Sequence, residues 1–207
     1  MAAAITNGDV VLTNCPVDAL TAVLDRLAEV GVQVEPCADD PIGPGPTPPV
    51  DRVAATMAAP TLRQSVRVAT CRRLNPIPVT TQPHPGFPTD LQAQWTAFAA
   101  VCEGRSEIKD SVYPERFLHV AELRRMGADA GWESGKAWVE GPSTLQGAPV
   151  IASDLRASAA LVIGGLAATG ETLVKRIYHL DRGYESLETK LAALGGRVVR
   201  EPDPESS

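Results

Sequence analysis

The stretch Ala167–Val199, AATGETLVKRIYHLDRGYESLETKLAALGGRVV, contains the pattern that decides the fold. A helix end precedes Gly170, a short apolar strand follows, and an acidic turn leads into leucines at helical spacing before Gly195-Gly196 and a second strand. Leucines at that spacing lie on one face of a helix, and glycine readily adopts the left-handed conformation found after a helix. The stretch therefore predicts one strand–helix–strand unit.

The same order of features recurs twice earlier in the chain. Residues 3–34 contain a helix end, Gly8, an apolar strand, an acidic turn, an amphipathic helix, Gly31 and another strand. Residues 99–127 repeat this order, with Gly104 and Gly127 at the corresponding places. Recurrence of one supersecondary unit is the signature of a repeat architecture. The sequence therefore predicts an α/β domain built from repeated units.

Two further helix starts lie between the copies, at Thr89-Asp90 and at Ser153-Asp154. In both, a hydroxyl side chain and a carboxylate stand where the free N–H groups and positive end of a helix favour them. The second helix, over residues 157–168, is small and apolar on nearly every side, which is typical of a buried helix. We therefore expect central helices covered by outer sheets.

Two regions do not fit the repeat. Residues 37–78 contain five prolines between positions 41 and 49 and then an arginine-rich stretch from Arg52 to Arg73. That composition, without a clear period, predicts an irregular segment outside the core. We expect residues 201–207 to be a disordered tail. The core should then consist of a first repeat unit at 1–36 and further units at 79–200, with residues 2–5 as the last turn of an interrupted helix.

Composition excludes several classes of protein. The formal net charge of −6 and the pI near 5.1 argue against sequence-independent binding to nucleic acid or an anionic membrane. No apolar run approaches the roughly 20 residues of a membrane-spanning helix, and the start lacks the pattern of a signal peptide. We therefore expect a cytoplasmic protein. The four cysteines and three histidines lack metal-ligand spacing, so no metal is assigned.

Four segments of the chain closely resemble the UDP-N-acetylglucosamine enolpyruvyl transferases, and they occur in the family's order. The resemblance covers residues 1–36 and 79–200 and is not found between them. The four segments are PHPGFPTDLQAQ at 83–94, RFLHVAELRRMGA at 116–128, SDLRASA at 153–159 and RIYHLDRGYE at 176–185.

The resemblance implies an inside-out α/β barrel domain with inward helices and outer sheets, incomplete here. It corresponds to the carboxy-terminal one of two similar domains that enclose a substrate cleft. The partners implied are phosphoenolpyruvate, UDP-N-acetylglucosamine and a separate amino-terminal half that holds the catalytic cysteine of a mobile loop. The reaction transfers enolpyruvyl to the GlcNAc 3-hydroxyl in peptidoglycan biosynthesis, which serves cell shape and division. It needs no cofactor.

The resemblance also assigns roles to individual residues. Asp90 matches the carboxylate that acts as base at the sugar hydroxyl, and Val112 matches a backbone contact to the UDP-sugar. By the resemblance, two arginines face phosphoenolpyruvate and a third lies close by, which suits guanidinium groups because they bind carboxylate and phosphate through paired hydrogen bonds. The two are Arg156 and Arg182, and the third is Arg116.

Each assignment has a structural alternative. Asp90 is also a first-turn acid that stabilises a helix dipole, and the arginines at 156 and 182 are each placed to pair with a neighbouring carboxylate, Asp154 or Asp181. Pro114 departs from the family pattern and removes a backbone donor beside Val112.

Two other functions stay open. One is a non-catalytic or truncated domain that retains a UDP-sugar or anion site. The other is a 3-phosphoshikimate 1-carboxyvinyltransferase, which the segments FPTD at 87–90 and RGYE at 182–185 disfavour. We also expect the chain alone to be inactive.

Overall fold

The computed structural model describes residues 1–37, 62–70 and 73–201, which form three open sheets around central helices. The first repeat unit has the predicted order. Its helix α2 ends at Gly31, whose φ of 109° is the left-handed C-cap expected from the sequence. The unit consists of α1 (Ala2–Ile5), β1 (Asp9–Pro16), a 3₁₀ turn (Val17–Leu20), α2 (Thr21–Val30) and β2 (Gln33–Pro36).

The centre of the first sheet is β3 (Arg63–Ala69), which lies between β1 and β2 and is antiparallel to both. The expectation that 37–78 would be irregular is therefore wrong for these residues. Val66 and Val68 are buried in the core, whereas Arg67 points outward and donates to Asp9 from its Nε at 2.8 Å. From Val66 to Val68 the residues alternate between buried and exposed, as on a half-buried strand. Residues 38–61 lie outside the described part of the chain.

The second unit builds a four-stranded sheet in the order β4-β5-β7-β6. β4 is parallel to β5, and the other two pairings are antiparallel. All eight residues of the helix α3 are buried. The elements are β4 (Val79–Thr81), a 3₁₀ turn (Thr89–Leu91), α3 (Gln92–Ala99), β5 (Gly104–Asp110), α4 (Leu118–Arg125), β6 (Asp129–Glu133) and β7 (Lys136–Gly141).

The third unit forms a sheet of two parallel strands, and the predicted strand at 198–199 does not form. In the first two sheets, a middle strand, β3 or β7, pairs with the strands on both sides of the connecting helix. Among the described residues the third sheet has no such middle strand. Val199 therefore has no neighbouring strand to pair with, and it is 81% exposed. The elements are β8 (Pro149–Ile151), α5 (Leu155–Ala167), β9 (Leu173–Lys175), α6 (Tyr178–Asp181) and α7 (Leu187–Ala193).

The helices α1, α3 and α5 occupy the centre, and each packs beneath one sheet. α5 contacts both α1 and α3, while α1 contacts β1 and β3, α3 contacts β5 and β7, and α5 contacts β9. Trp95 is edge-to-face with Phe87 at 5.2 Å and with Phe98 at 5.5 Å between ring centroids. Each such pair is worth about 0.5–1.5 kcal/mol beyond its area burial. The predicted fold class, inward helices with outer sheets, is confirmed.

Within the described residues, the longest helix is α5 with 13 residues, and no helix is both long and apolar enough to cross a bilayer.

Candidate active site

Asp90 lies in the 3₁₀ turn before α3. α3 begins at Gln92 and has no side-chain cap, so the predicted capping role of Thr89 and Asp90 is wrong. Asp90 Oδ1 instead accepts from Nε of Arg156 at 2.7 Å and from its Nη2 at 2.5 Å. The Asp90 side chain is 64% exposed. A residue 66 positions away in sequence is thereby held at an accessible carboxylate.

The start of α5 presents Arg156 to Asp90. Asp154 is the N-cap, and its Oδ1 accepts from the backbone N–H of Arg156 at 2.8 Å and of Ala157 at 3.2 Å. The predicted helix start is confirmed, but the cap is the carboxylate of Asp154 and not the hydroxyl of Ser153, which donates to Asp154 Oδ2. Burial alone would raise the pKa of Asp154, but these hydrogen bonds and that from Ser153 outweigh it and keep the pKa low. Because Asp154 binds backbone, the alternative Arg156–Asp154 ion pair does not form.

Arg116, in the loop between β5 and α4, is the third residue of the cluster. Its guanidinium lies over the Tyr113 ring, with Cζ 3.9 Å from the ring centroid, and its Nη1 is 4.0 Å from Asp90 Oδ1. That distance is an ion pair rather than a hydrogen bond. Nη1 is buried and has no hydrogen-bond partner among the described residues. Arg116 therefore has one donor that no acceptor among the described residues satisfies.

A cleft of about 380 Å³ opens beside this cluster. It is lined by the loop 112–116, together with Leu118 and Asp154. Val112 lies in this loop rather than in a strand, because β5 ends at Asp110. The structure thus brings Asp90, Arg116 and Arg156 together and puts Val112 in the wall of the adjacent cleft.

Arg182 lies at the end of α6 and takes no part in the Asp90 cluster. Asp181 is bound by Arg200, at 2.6 and 2.9 Å, so the alternative pairing of Asp181 with Arg182 does not form. The next residue, Gly183, packs against the start of α5: a Cβ on it would lie 2.9 Å from Leu155 Cδ2. Within the described part of the chain no ion pair includes Arg182, and its side chain is exposed.

Sequence reasoning missed Asp110, a buried carboxylate bonded to the loop that lines the cleft. Its Oδ1 accepts from the Thr81 hydroxyl at 2.7 Å and from the backbone N–H of Val112 and Tyr113 at 2.9 and 2.8 Å. Its Oδ2 accepts from the Thr89 hydroxyl at 2.7 Å. Burial would raise the pKa of Asp110, yet the four hydrogen bonds lower it below its usual value. The available signal was an Asp at a strand end, where its side chain favours a turn.

Comparisons with known proteins agree on one group of enzymes. The model of the EPSP synthase (3-phosphoshikimate 1-carboxyvinyltransferase) family matches residues 1–191. The UDP-N-acetylglucosamine 1-carboxyvinyltransferase of Nitratidesulfovibrio vulgaris (strain Miyazaki F) is 45% identical over 203 residues, which is 98% of this chain and 43% of that protein. The protein of the same name in Hyphomonas neptunium is 46% identical over 200 residues, 97% of this chain and 42% of the relative.

Solved structures of the same group share the fold. The enolpyruvyl transferase NikO from Streptomyces tendae superposes with a TM-score of 0.76 at 25% identity, covering 97% of this chain and 43% of that one. EPSP synthase from Acinetobacter baumannii superposes with a TM-score of 0.70 at 18% identity, covering 98% of this chain and 44% of that one. This is a likeness of fold alone.

Two facts about extent follow from these matches. The chain spans about two fifths of the length of the curated relatives. The matched region also runs through residues 37–78, so the expectation that the resemblance stops there is wrong.

Proposed function

The chain belongs to the EPSP synthase (3-phosphoshikimate 1-carboxyvinyltransferase) family, and we propose that it supplies the carboxy-terminal side of the active site of a UDP-N-acetylglucosamine 1-carboxyvinyltransferase. The observation that favours this function most is the contact of Asp90 with Arg156, beside Arg116 and the cleft. An accessible carboxylate next to two permanent cations suits a reaction that deprotonates a hydroxyl and binds two anionic groups.

In the proposed reaction Asp90 takes the proton of the GlcNAc 3-hydroxyl, and the oxygen attacks the central carbon of phosphoenolpyruvate. An acid supplied by the amino-terminal half protonates the vinyl carbon, and the tetrahedral adduct then loses phosphate and a proton to give the enolpyruvyl ether. Asp90 Oδ1 is occupied by Arg156, and Oδ2 accepts no hydrogen bond from the described residues. Oδ2 is therefore the oxygen suited to receive the proton.

The arginines are proposed to bind the anionic groups of phosphoenolpyruvate. Arg116 has the unpartnered Nη1, and Arg156 has a guanidinium held in place by Asp90. Arg182 is exposed on the turn that packs against the start of α5, and we assign it to the same substrate. The loop at Val112 is proposed to contact the UDP-sugar through its backbone.

The alternative acceptor is 3-phosphoshikimate. The family name favours it, whereas the Acinetobacter baumannii structure, at 18% identity, bears on the fold alone. Relatives named for UDP-N-acetylglucosamine are 42–46% identical over nearly the whole chain. We therefore place the UDP-sugar first, with a non-catalytic UDP-sugar or anion site as the second alternative.

The proposal extends to the cellular setting. Peptidoglycan biosynthesis in the cytoplasm, and through it cell shape and division, is the process in which this transferase would act. A separate polypeptide providing the amino-terminal half is the proposed partner.

The direct test is phosphate release from phosphoenolpyruvate in the presence of UDP-N-acetylglucosamine, together with detection of the enolpyruvyl product. The chain is assayed alone and with an added amino-terminal half of a relative. Product formation only in the mixture supports the proposal. Binding of UDP-N-acetylglucosamine without turnover in any mixture would favour the non-catalytic alternative.

A further inference from the structure

Asp110 is a buried charged group that the proposed chemistry does not use. Asp110 is 1% exposed, and it takes part in no ion pair among the described residues. A buried carboxylate without a cation is stable only if hydrogen bonds replace its hydration. Asp110 has four of them, and all four donors belong to segments around the candidate active site.

The two carboxylate oxygens serve different segments. Oδ1 binds the Thr81 hydroxyl, at the end of β4, and the first backbone N–H groups of the loop that leads to Arg116. Oδ2 binds only Thr89, the residue immediately before Asp90. Ser111 joins the same network through its N–H, which donates to Thr81 Oγ1 at 3.2 Å. One side chain therefore ties the turn of the base to the loop that lines the cleft.

We infer that Asp110 is a positioning residue that fixes the distance between Asp90 and the loop 112–116. The 4.0 Å separation of Asp90 Oδ1 and Arg116 Nη1 spans these two segments. Among the described residues no hydrogen bond joins these two segments directly, whereas Asp110 is bonded to both of them. The functional part of this inference rests on the proposed function, in which the reaction depends on the distance between the base Asp90 and the loop 112–116. The structural part stands independently.

The first experiment measures amide hydrogen exchange by NMR on the ¹⁵N-labelled 207-residue chain. Asp110→Asn turns the three bonds to Oδ1 from charged into neutral ones and replaces the acceptor of Thr89 with an NH2 group. The amides of Val112 and Tyr113 should therefore exchange about tenfold faster or more. The amide of Ile108, inside β5, is the internal control and should keep its rate. An equal rise at all three amides would mean that Asp110 acts only on global stability, and that result would overturn the inference.

A second pair of variants leaves the carboxylate intact. Thr89→Val removes the single bond to Oδ2, and Thr89→Ser is the matched control that keeps the hydroxyl. We expect Thr89→Val to shift the Nε–Hε resonance of Arg156, which is bonded to Asp90, while Thr89→Ser leaves it in place. An unchanged Arg156 resonance in Thr89→Val contradicts the inference even if Asp110→Asn fails to fold.

Titration of the same samples with UDP-N-acetylglucosamine separates the two proposals. Under the proposed function the wild-type chain shows shifts at Val112 and Tyr113, and Asp110→Asn binds about tenfold more weakly. If the wild-type chain and the chain mixed with an amino-terminal half both fail to bind, the proposed function is wrong. The exchange rates and the Arg156 resonance then still decide whether Asp110 positions the two segments.

Discussion

Asp90 and Arg156 form a contact that contributes little to stability, which makes a chemical role testable. Both side chains are substantially exposed, and exposed ion pairs contribute about 0–1 kcal/mol. In an enzyme reconstituted with an amino-terminal half, Asp90→Asn should lower kcat by about 10²–10⁴-fold, because it removes the proton acceptor. Its unfolding midpoint in urea should stay close to that of wild type. A loss of activity that merely follows a loss of stability would argue against the base assignment.

Arg182 and Arg200 provide a matched pair of arginines at the same end of the domain. Arg200 is occupied by Asp181, whereas Arg182 has no ion-pair partner among the described residues. Arg182→Ala should raise KM for phosphoenolpyruvate more than KM for UDP-N-acetylglucosamine, since its charge is assigned to the smaller anion. Arg200→Ala should leave both KM values nearly unchanged. Equal effects of the two substitutions in steady-state kinetics would remove Arg182 from the site.

His119 makes stability depend on pH. It is 2% exposed, and burial lowers its pKa from the ordinary 6.5 to about 4. Between these values the unfolded chain binds a proton that the folded chain does not, so stability falls as pH drops from 6.5 towards 4. The full loss is about 3 kcal/mol, from 1.36 kcal/mol per pKa unit.

The measurement is the free energy of urea unfolding at several pH values for wild type and His119→Leu. The substitution should flatten the slope between pH 6.5 and 4, whatever it does to stability at neutral pH. Asp110 and Asp154 have lowered pKa values, so their contributions are lost only at still lower pH. An identical slope in both proteins would show that another group titrates in this window.

At the scale of elements, β3 is the strand on which the first sheet depends. Val66 on β3 is 2% exposed and Val11 on β1 is 52% exposed, so the same substitution can be compared at both. Val66→Ala should cost about 2 kcal/mol, from lost burial and the cavity left behind. Val11→Ala should stay within about 0.5 kcal/mol. Urea unfolding of the two variants checks this, and equal costs would mean that β3 does not form part of the core in solution.

β3 also shows where sequence reasoning was insufficient. The glycine-ended helices and the buried helix α5 were predictable because each signal is local: an apolar period, a cap or a left-handed residue. β3 was missed because its two arginines are exposed and only two of its buried residues, Val66 and Val68, are apolar. Two valines are too few to show a period. The pairing of β3 with β1 is set by residues 47 to 60 positions away. The strand at 198–199 was predicted wrongly because pairing, which local sequence does not show, decides whether a strand forms.

Part of the candidate site could also be predicted from the sequence. Asp90, Arg116 and Arg156 came from family resemblance, and the structure brings them together. The bonding within the cluster was not predictable, because it depends on which partner each guanidinium reaches in space. Asp110 was missed because a buried acid with only hydroxyl and backbone donors leaves no charge pattern in the sequence.

At the scale of the whole molecule, the chain should be inactive by itself. It spans about two fifths of its curated relatives, and the proposed reaction takes its vinyl-carbon acid from the amino-terminal half. The purified 207-residue chain should therefore release no phosphate from phosphoenolpyruvate above background. Robust turnover by this chain alone would place the acid within it and require a different mechanism.

The most direct test of the central claim compares two acceptors in the reconstituted enzyme. Phosphate release from phosphoenolpyruvate is measured with UDP-N-acetylglucosamine and, separately, with shikimate 3-phosphate, for wild type and Asp90→Asn. The proposed function predicts phosphate release with UDP-N-acetylglucosamine, little or none with shikimate 3-phosphate, and a loss of about 10²-fold or more in Asp90→Asn. A preference for shikimate 3-phosphate, or undiminished turnover in Asp90→Asn, would contradict it.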